Sequence, residues 1–139
     1  MEFKRRKKRG HSQKTYKQWF SEDDGYRIIW RAEACGVRIT PCYEAAVRTV
    51  IPNYGGTDEV FEMWDFVSDR RCYRTLEAAQ KDCERHQKQW LEARQASGVR
   101  DLTRIFGKLP LGIPVWVKKK LPRKVYDILM RPRANQEKK

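Results

Sequence analysis

Residues 16–31, Tyr-Lys-Gln-Trp-Phe-Ser-Glu-Asp-Asp-Gly-Tyr-Arg-Ile-Ile-Trp-Arg, decide the fold. Tyr16–Ser21 is rich in aromatic residues and ends at Glu22-Asp23-Asp24-Gly25. Asp-Gly is a hairpin signal, because both residues tolerate the positive φ that a tight turn needs. Tyr26–Arg31 follows as a second strand. Alternation puts Tyr26, Ile28 and Trp30 on one face and Arg27, Ile29 and Arg31 on the other.

Outward from this hairpin, Cys35-Gly36 breaks the second strand. Val37–Thr40 reads as a short β-branched strand limited by Pro41. Tyr43–Ile51 mixes helix formers in its first half with strand formers in its second, and strand is the reading for Val47–Ile51. Pro52-Asn53-Tyr54-Gly55-Gly56 reads as a loop, and Val60–Ser68 as a buried strand. Thr75–Arg94 is the clearest helix. Thr75 suits the N-cap and Glu77 opposes the helix dipole. Leu76, Ala79, Cys83, His86 and Trp90 recur every three or four residues as one apolar face. Lys81, Glu84, Arg85, Lys88 and Glu92 occupy the other. Short helices follow over 99–106, from Pro114 to Leu121, and from Pro122 on.

The expected fold is α+β: an antiparallel three- to four-stranded meander packed against one long helix, followed by short C-terminal helices. The expected organisation is a disordered basic tail over 1–15, the α+β domain over 16–97, short helices over 98–130 docked on the same core, and a basic tail over 131–139. The apolar residues expected to meet in the core are Trp30, Trp64, Leu76, Ala79 and Trp90.

Charge is segregated along the 139 residues, whose net charge is +13. Residues 1–20 carry eight Lys/Arg against one acid, a net +7. Residues 21–97 carry eleven against fourteen, a net −3, and residues 98–139 carry twelve against three, a net +9. A polyanion is therefore drawn to the ends. Lys4, Arg5, Arg6, Lys7, Lys8 and Arg9 form one block. Lys118, Lys119, Lys120, Arg123 and Lys124, with Arg131 and Arg133 beyond them, form the other. Each phosphate such a group neutralises releases condensed counterions, which drives binding without reading sequence. The alternative for both blocks is a solubilising or nuclear-targeting role. An anionic membrane surface fits less well, since the N-terminal block has no apolar anchors.

Arg27 and Arg31 share a face of the second strand, with Arg38 and Arg48 on neighbouring strands. Three strands followed by a helix that opens Tyr73-Arg74-Thr75-Leu76-Glu77-Ala78-Ala79 resemble plant AP2 and phage-integrase arm-binding domains over residues 16–95. That resemblance implies a sheet laid in the DNA major groove, reading it with Arg and Trp. The sequence departs from the pattern at Glu33, Glu44, Asp58, Glu59, Glu62, Asp65 and Asp69, whose charges repel phosphate unless arginines pair with them. Trp19–Ile28 together with Arg74-Thr75-Leu76 also resembles small uncharacterised bacterial proteins, a likeness that implies no function.

Four cysteines, Cys35, Cys42, Cys72 and Cys83, include no C-x-x-C pair. The N-terminus has charges without an apolar run behind them, so the reading is free thiols in a reducing cytoplasm, or a nucleus in a eukaryote. No stretch reaches the roughly 18 apolar residues that span a bilayer. Cys83-x-x-His86 lies within one helical turn, and Cys35 and Cys42 would complete a zinc set. However, the Cys35–Cys42 spacing is irregular for zinc, and Cys83 and His86 both fit the apolar stripe, so no metal and no cofactor is expected. Asp23 and Asp24 lie on a hairpin tip open to water, without the deep burial that an acid–base pair would need. No nucleophile elbow or phosphate loop occurs. The expectation is a non-enzymatic, nucleic-acid-associating accessory protein without catalytic residues. The alternative is a protein-interaction module with solubilising or targeting tails.

Overall fold

The computed structural model describes residues 1–52 and 61–131. The loop around Gly55-Gly56, the acids Asp58 and Glu59, and the tail from 132 on, including Arg133, lie outside the described residues. The chain is α+β and divides into two compact units, one of residues 1–48 and 64–86, the other of residues 49–63 and 87–139.

The first unit is built on an antiparallel sheet in the order β1-β2-β3-β4-β5: β1 (Phe3–Arg6), β2 (Tyr16–Ser21), β3 (Tyr26–Ala34), β4 (Val37–Ile51) and β5 (Phe61–Phe66). The β2–β3 hairpin turns where the Asp-Gly signal puts it. Asp24 takes the positive φ, 56°, and Asp23 Oδ1 accepts hydrogen bonds from Gly25 N and Ser21 Oγ. The β3–β4 turn is tighter. Cys35 and Gly36 both have positive φ, 53° and 79°, and Ala34 pairs directly with Val37, the arrangement of a two-residue type I′ hairpin. Cys35-Gly36, read from sequence as a break, is the turn itself.

Three features of this unit differ from the sequence reading. First, β4 is one strand of fifteen residues rather than two short ones. Pro41 does not end it because the β3–β4 register shifts between Arg31↔Cys42 and Glu33↔Arg38, so the proline sits in an irregular stretch where no ladder N–H is required. Second, residues 1–15, expected to be disordered, contain β1. Its register places Lys4 opposite Phe20 and Arg6 opposite Gln18, with Arg5 on the other face opposite Trp19. Alternation thus separates the like charges, and each arginine finds a partner: Arg5 Nη2 donates to Gln13 Oε1 at 3.0 Å and Arg6 pairs with Asp24 at 2.6 Å. Third, β5 is an edge strand rather than a buried one. Phe61, Met63 and Phe66 are exposed and Trp64 is half-buried.

The long helix α1 (Leu76–Glu92) begins where expected, with Thr75 Oγ1 accepting from Ala78 N at 3.1 Å. In the first unit it covers the Tyr26–Ile28 face of the sheet: Tyr26, Ile28, Ala45, Val47, Tyr73, Ala79 and Cys83 are buried there. Trp64 does not join them. It lies on the opposite sheet face, so the expected cluster of Trp30, Trp64, Leu76, Ala79 and Trp90 is not one core.

A further correction concerns the thiols. Tyr43 and Tyr73 exchange backbone hydrogen bonds of 3.0 and 2.9 Å. This brings the adjoining Cys42 and Cys72 to a Cα separation of 5.4 Å, where they form a disulfide. Only Cys35 and Cys83 are free among the described residues. The argument for a reducing compartment from four free thiols therefore falls. No helix among the described residues is long and apolar enough to cross a membrane.

In the second unit, the end of α1 continues through a 3-10 turn (Ala93–Gln95) to α2 (Val99–Phe106). β6 (Ile113–Pro114), α3 (Val117–Lys120) and α4 (Arg123–Leu129) follow. Pro114 does not open a helix. It lies in β6, which pairs with Thr49 and Val50 at the end of β4. Gly112 brings the chain close to Thr49 there: a Cβ on it would lie 3.3 Å from Thr49 Oγ1. Trp90, Leu102, Ile113, Trp116, Val117, Leu121, Val125 and Leu129 form this unit's core. Within this unit the C-terminal helices gather with the last turns of α1, where Trp90 packs on Phe106 at 4.5 Å.

Candidate nucleic-acid interface

The register across the first unit sorts the candidate residues by face. The rows Lys4–Phe20–Arg27–Ala46 and Arg6–Gln18–Ile29–Glu44 lie on the face opposite α1, as do Tyr16 and Arg31. Lys4, Arg6, Arg27 and Arg31 are thereby brought to one surface, and Arg48 shares it two residues beyond Ala46. Arg5 is on the other side. Lys8 joins the group from the loop after β1, its Nζ 5.5 Å from the centre of the Tyr16 ring. Lys7 and Arg9 are exposed beside it.

Aromatic rings alternate with these cations. Arg6 lies over Phe20 at 4.6 Å and Arg27 over Trp64 at 4.3 Å. Phe20 and Trp64 meet edge-on at 6.1 Å, although two strands separate β2 from β5. A flat sheet would hold those backbones about 14 Å apart. Long side chains and the curl of the sheet close the gap, with the small Ala46 between. Next to β5, Arg71 lies over Phe66 at 4.8 Å. Arg27, Ile29, Glu44, Ala46, Trp64, Asp65 and Phe66 line a partly open cavity of about 80 Å³.

The acids on this face are partly matched. Asp24 holds Arg6, and Glu44 Oε2 stands 4.0 Å from Arg31 Nε. The Nε atoms of Arg27 and Arg31 are buried without a hydrogen-bond partner among the described residues. Burial lowers the Arg27 pKa, with Arg31 adding to the effect and Glu44 opposing it. A guanidinium nonetheless stays charged, so the consequence is a half-desolvated cation with an unused donor.

The C-terminal block has a simpler setting. In the second unit Lys118, Lys119, Lys120, Arg123 and Lys124 are all exposed, while Val117, Leu121 and Val125 between them are buried. The apolar residues thus anchor α3 and α4 and turn the five cations outward. Lys118 and Lys120 lie about one ring-contact distance from Tyr126 and Trp116, at 6.0 and 5.9 Å.

The candidate metal ligands are not brought together. Cys35 is exposed on its hairpin tip and Cys42 is in the disulfide. Cys83 is fully buried, and burial pushes its thiol up to about 12. His86 Nδ1 is 2.8 Å from the Tyr26 hydroxyl, and burial lowers the imidazole to about 4. A second polar cluster, not foreseen from sequence, joins Tyr73, Ser68, Asp82 and Arg85. Tyr73 donates to Asp82 Oδ2 at 2.5 Å, and Arg85 pairs with Oδ1 at 2.7 Å. Burial, then Asp82, pushes the Tyr73 hydroxyl up to about 12. A carboxylate occupied on both oxygens and a phenol held protonated serve as a clamp between the β5–α1 connection and the helix.

Searches of protein-family models, curated proteins and solved structures return no match to this chain.

Proposed function

We propose that this protein associates with nucleic acid without catalysing a reaction, holding phosphates with its basic segments. The observation that carries the reading is the face of the first unit. There Lys4, Arg6, Arg27 and Arg31 share one face with the half-buried rings of Phe20 and Trp64. Cations interleaved with aromatic rings provide both phosphate contacts and ring surfaces for bases. Exposed Lys118–Lys120, Arg123 and Lys124 supply a second phosphate-binding group. Asp24 and Glu44 each offset one arginine of the face, Arg6 and Arg31, so the phosphate contacts fall to Lys4 and to Lys7 and Lys8 of the loop after β1. The resemblance to AP2 and integrase arm-binding domains points to the same sheet face.

Binding driven by phosphates weakens steeply with salt: log K falls by roughly 0.9 per contact for each decade of salt on duplex DNA. Replacing Lys118, Lys119, Lys120, Arg123 and Lys124 by glutamine is expected to reduce that slope by up to about 4.5, if all five touch phosphate. Replacing Lys4, Lys7, Lys8 and Arg9 is expected to reduce it further. Arg6 is left in place because its pairing with Asp24 supports the hairpin. Titrations of labelled DNA and RNA at several salt concentrations measure both effects. Failure of the full chain to bind either polymer at low salt would rule out the reading.

A second reading, docking of a protein partner, is favoured by Val37 and Ile39 on the exposed end of the β3–β4 hairpin, 65% and 38% accessible. A pull-down repeated after nuclease treatment separates the two. Partners that survive the nuclease favour docking, and partners that vanish with it favour nucleic acid.

A further inference from the structure

We infer that the Trp64–Phe66 side of β5 is a stacking platform for the bases of single-stranded nucleic acid. The inference rests on the nucleic-acid reading above and narrows it to one form of strand.

Trp64 and Phe66 are two residues apart on one strand, so both rings leave the same side of β5. Strand rise separates their Cα atoms by about 6.8 Å, twice the roughly 3.4 Å spacing of stacked bases. Both rings line the partly open 80 Å³ cavity, and Phe66 is 37% accessible. That void is smaller than a whole base, so a base would enter with one edge and leave its sugar and phosphate outside. The rings are already held in place: Arg27 over Trp64 with Phe20 at its edge, and Arg71 over Phe66. Ordering them before binding lowers the entropy that association would otherwise cost.

The charges of the slot select a base over a phosphate. Glu44 and Asp65 line the cavity together with Arg27. Two carboxylates repel a phosphate, whereas a neutral base tolerates them. Arg27, which lines the slot, offers its guanidinium as a donor to a base carbonyl or ring nitrogen at the slot's edge. Exposed Arg48 and Arg71 stand outside the slot, where the neighbouring phosphates would run. Stacking on these rings needs an unpaired base, because a duplex keeps its base faces against one another and presents only their edges.

The test is a low-salt titration of the full chain with a labelled mixed-sequence single strand and with the duplex made from it. The wild type is expected to bind the single strand more tightly. Trp64→Ala is expected to weaken single-strand binding about 10- to 100-fold and to change duplex binding less than about twofold. Trp64→Phe, which keeps a ring, is expected to restore most of the loss. Because Trp64→Ala also removes half-buried packing, Phe66→Ala at the exposed position gives an independent reading: a loss confined to the single strand. The inference is overturned if the wild type prefers the duplex, or if the Phe66 change and a folded Trp64 variant leave single-strand affinity intact. It is also overturned if those variants lower both affinities equally. In those cases phosphate-driven association stands, whereas no binding of either polymer at low salt removes both.

Discussion

Trp90→Ala is expected to destabilise the second unit by about 3–5 kcal/mol, the cost of deleting a large aromatic from a packed core. Trp90 is 4% accessible and its ring stands 4.5 Å from that of Phe106, so it fastens the last turns of α1 to α2. Neighbouring Leu102 is fully buried on α2, and Ala93 and Ala96 close the 3-10 turn between the helices. These small, fixed residues leave little freedom to collapse into the vacated space. The loss should therefore approach the full transfer and cavity terms. Urea titration followed by far-UV circular dichroism measures it. Trp116→Ala in the same unit should behave alike. A change below about 0.5 kcal/mol for Trp90→Ala would show that the α1–α2 junction is not packed as described, since that is the range of ordinary surface substitutions.

The elements legible in the sequence were those whose cause is local. The β2–β3 turn follows from Asp24-Gly25, and α1 from its Thr75 cap and three-four stripe. Ala79, Cys83 and Trp90 of that stripe are buried as its spacing requires. What sequence left open depends on partners distant along the chain. Nothing near Phe3–Arg6 signals a strand, because its pairing partners lie twelve to eighteen residues away and Arg6 finds its counter-charge at Asp24. The Cys42–Cys72 bond spans thirty residues and arises from the Tyr43–Tyr73 bridge, so spacing alone did not show it. Trp64 reads as core because it stands in the aromatic-rich run Val60–Ser68. Edge position, which no local pattern encodes, sends it to the opposite face beside Arg27. The same holds for the candidate site. Alternation correctly put Arg27 and Arg31 together, but their company of Lys4, Arg6, Phe20 and Trp64 is a matter of register and curl.

Acid is expected to weaken the first unit through His86 before it titrates most carboxylates. The imidazole is packed beside Tyr26, which is fully buried, with ring centres 5.6 Å apart and Nδ1 at 2.8 Å from the hydroxyl. Burial disfavours the imidazolium, lowering the folded-state value to about 4 against 6.5 for the unconstrained side chain. Below pH 6.5 the unfolded chain takes up a proton that the folded chain refuses until about pH 4, so protonation favours unfolding. The sign follows: stability is fully present above pH 6.5 and is lost as pH falls toward 4. The loss approaches about 3 kcal/mol at the lower end. Asp101, whose carboxyl is held below its usual range by the Ser97 backbone N–H and hydroxyl, releases its own contribution only in stronger acid. Urea titrations at pH 7, 5.5 and 4.5 should show a steeper decline for the wild type than for His86→Gln. The glutamine keeps an acceptor near Tyr26 but carries no titrating proton. Tyr26→Phe, which removes the hydroxyl and leaves the buried imidazole, should keep most of the decline, because burial rather than the hydrogen bond depresses His86. Equal declines in the wild type and His86→Gln would mean that the imidazole is solvated in the folded chain and that its packing against Tyr26 is not as described.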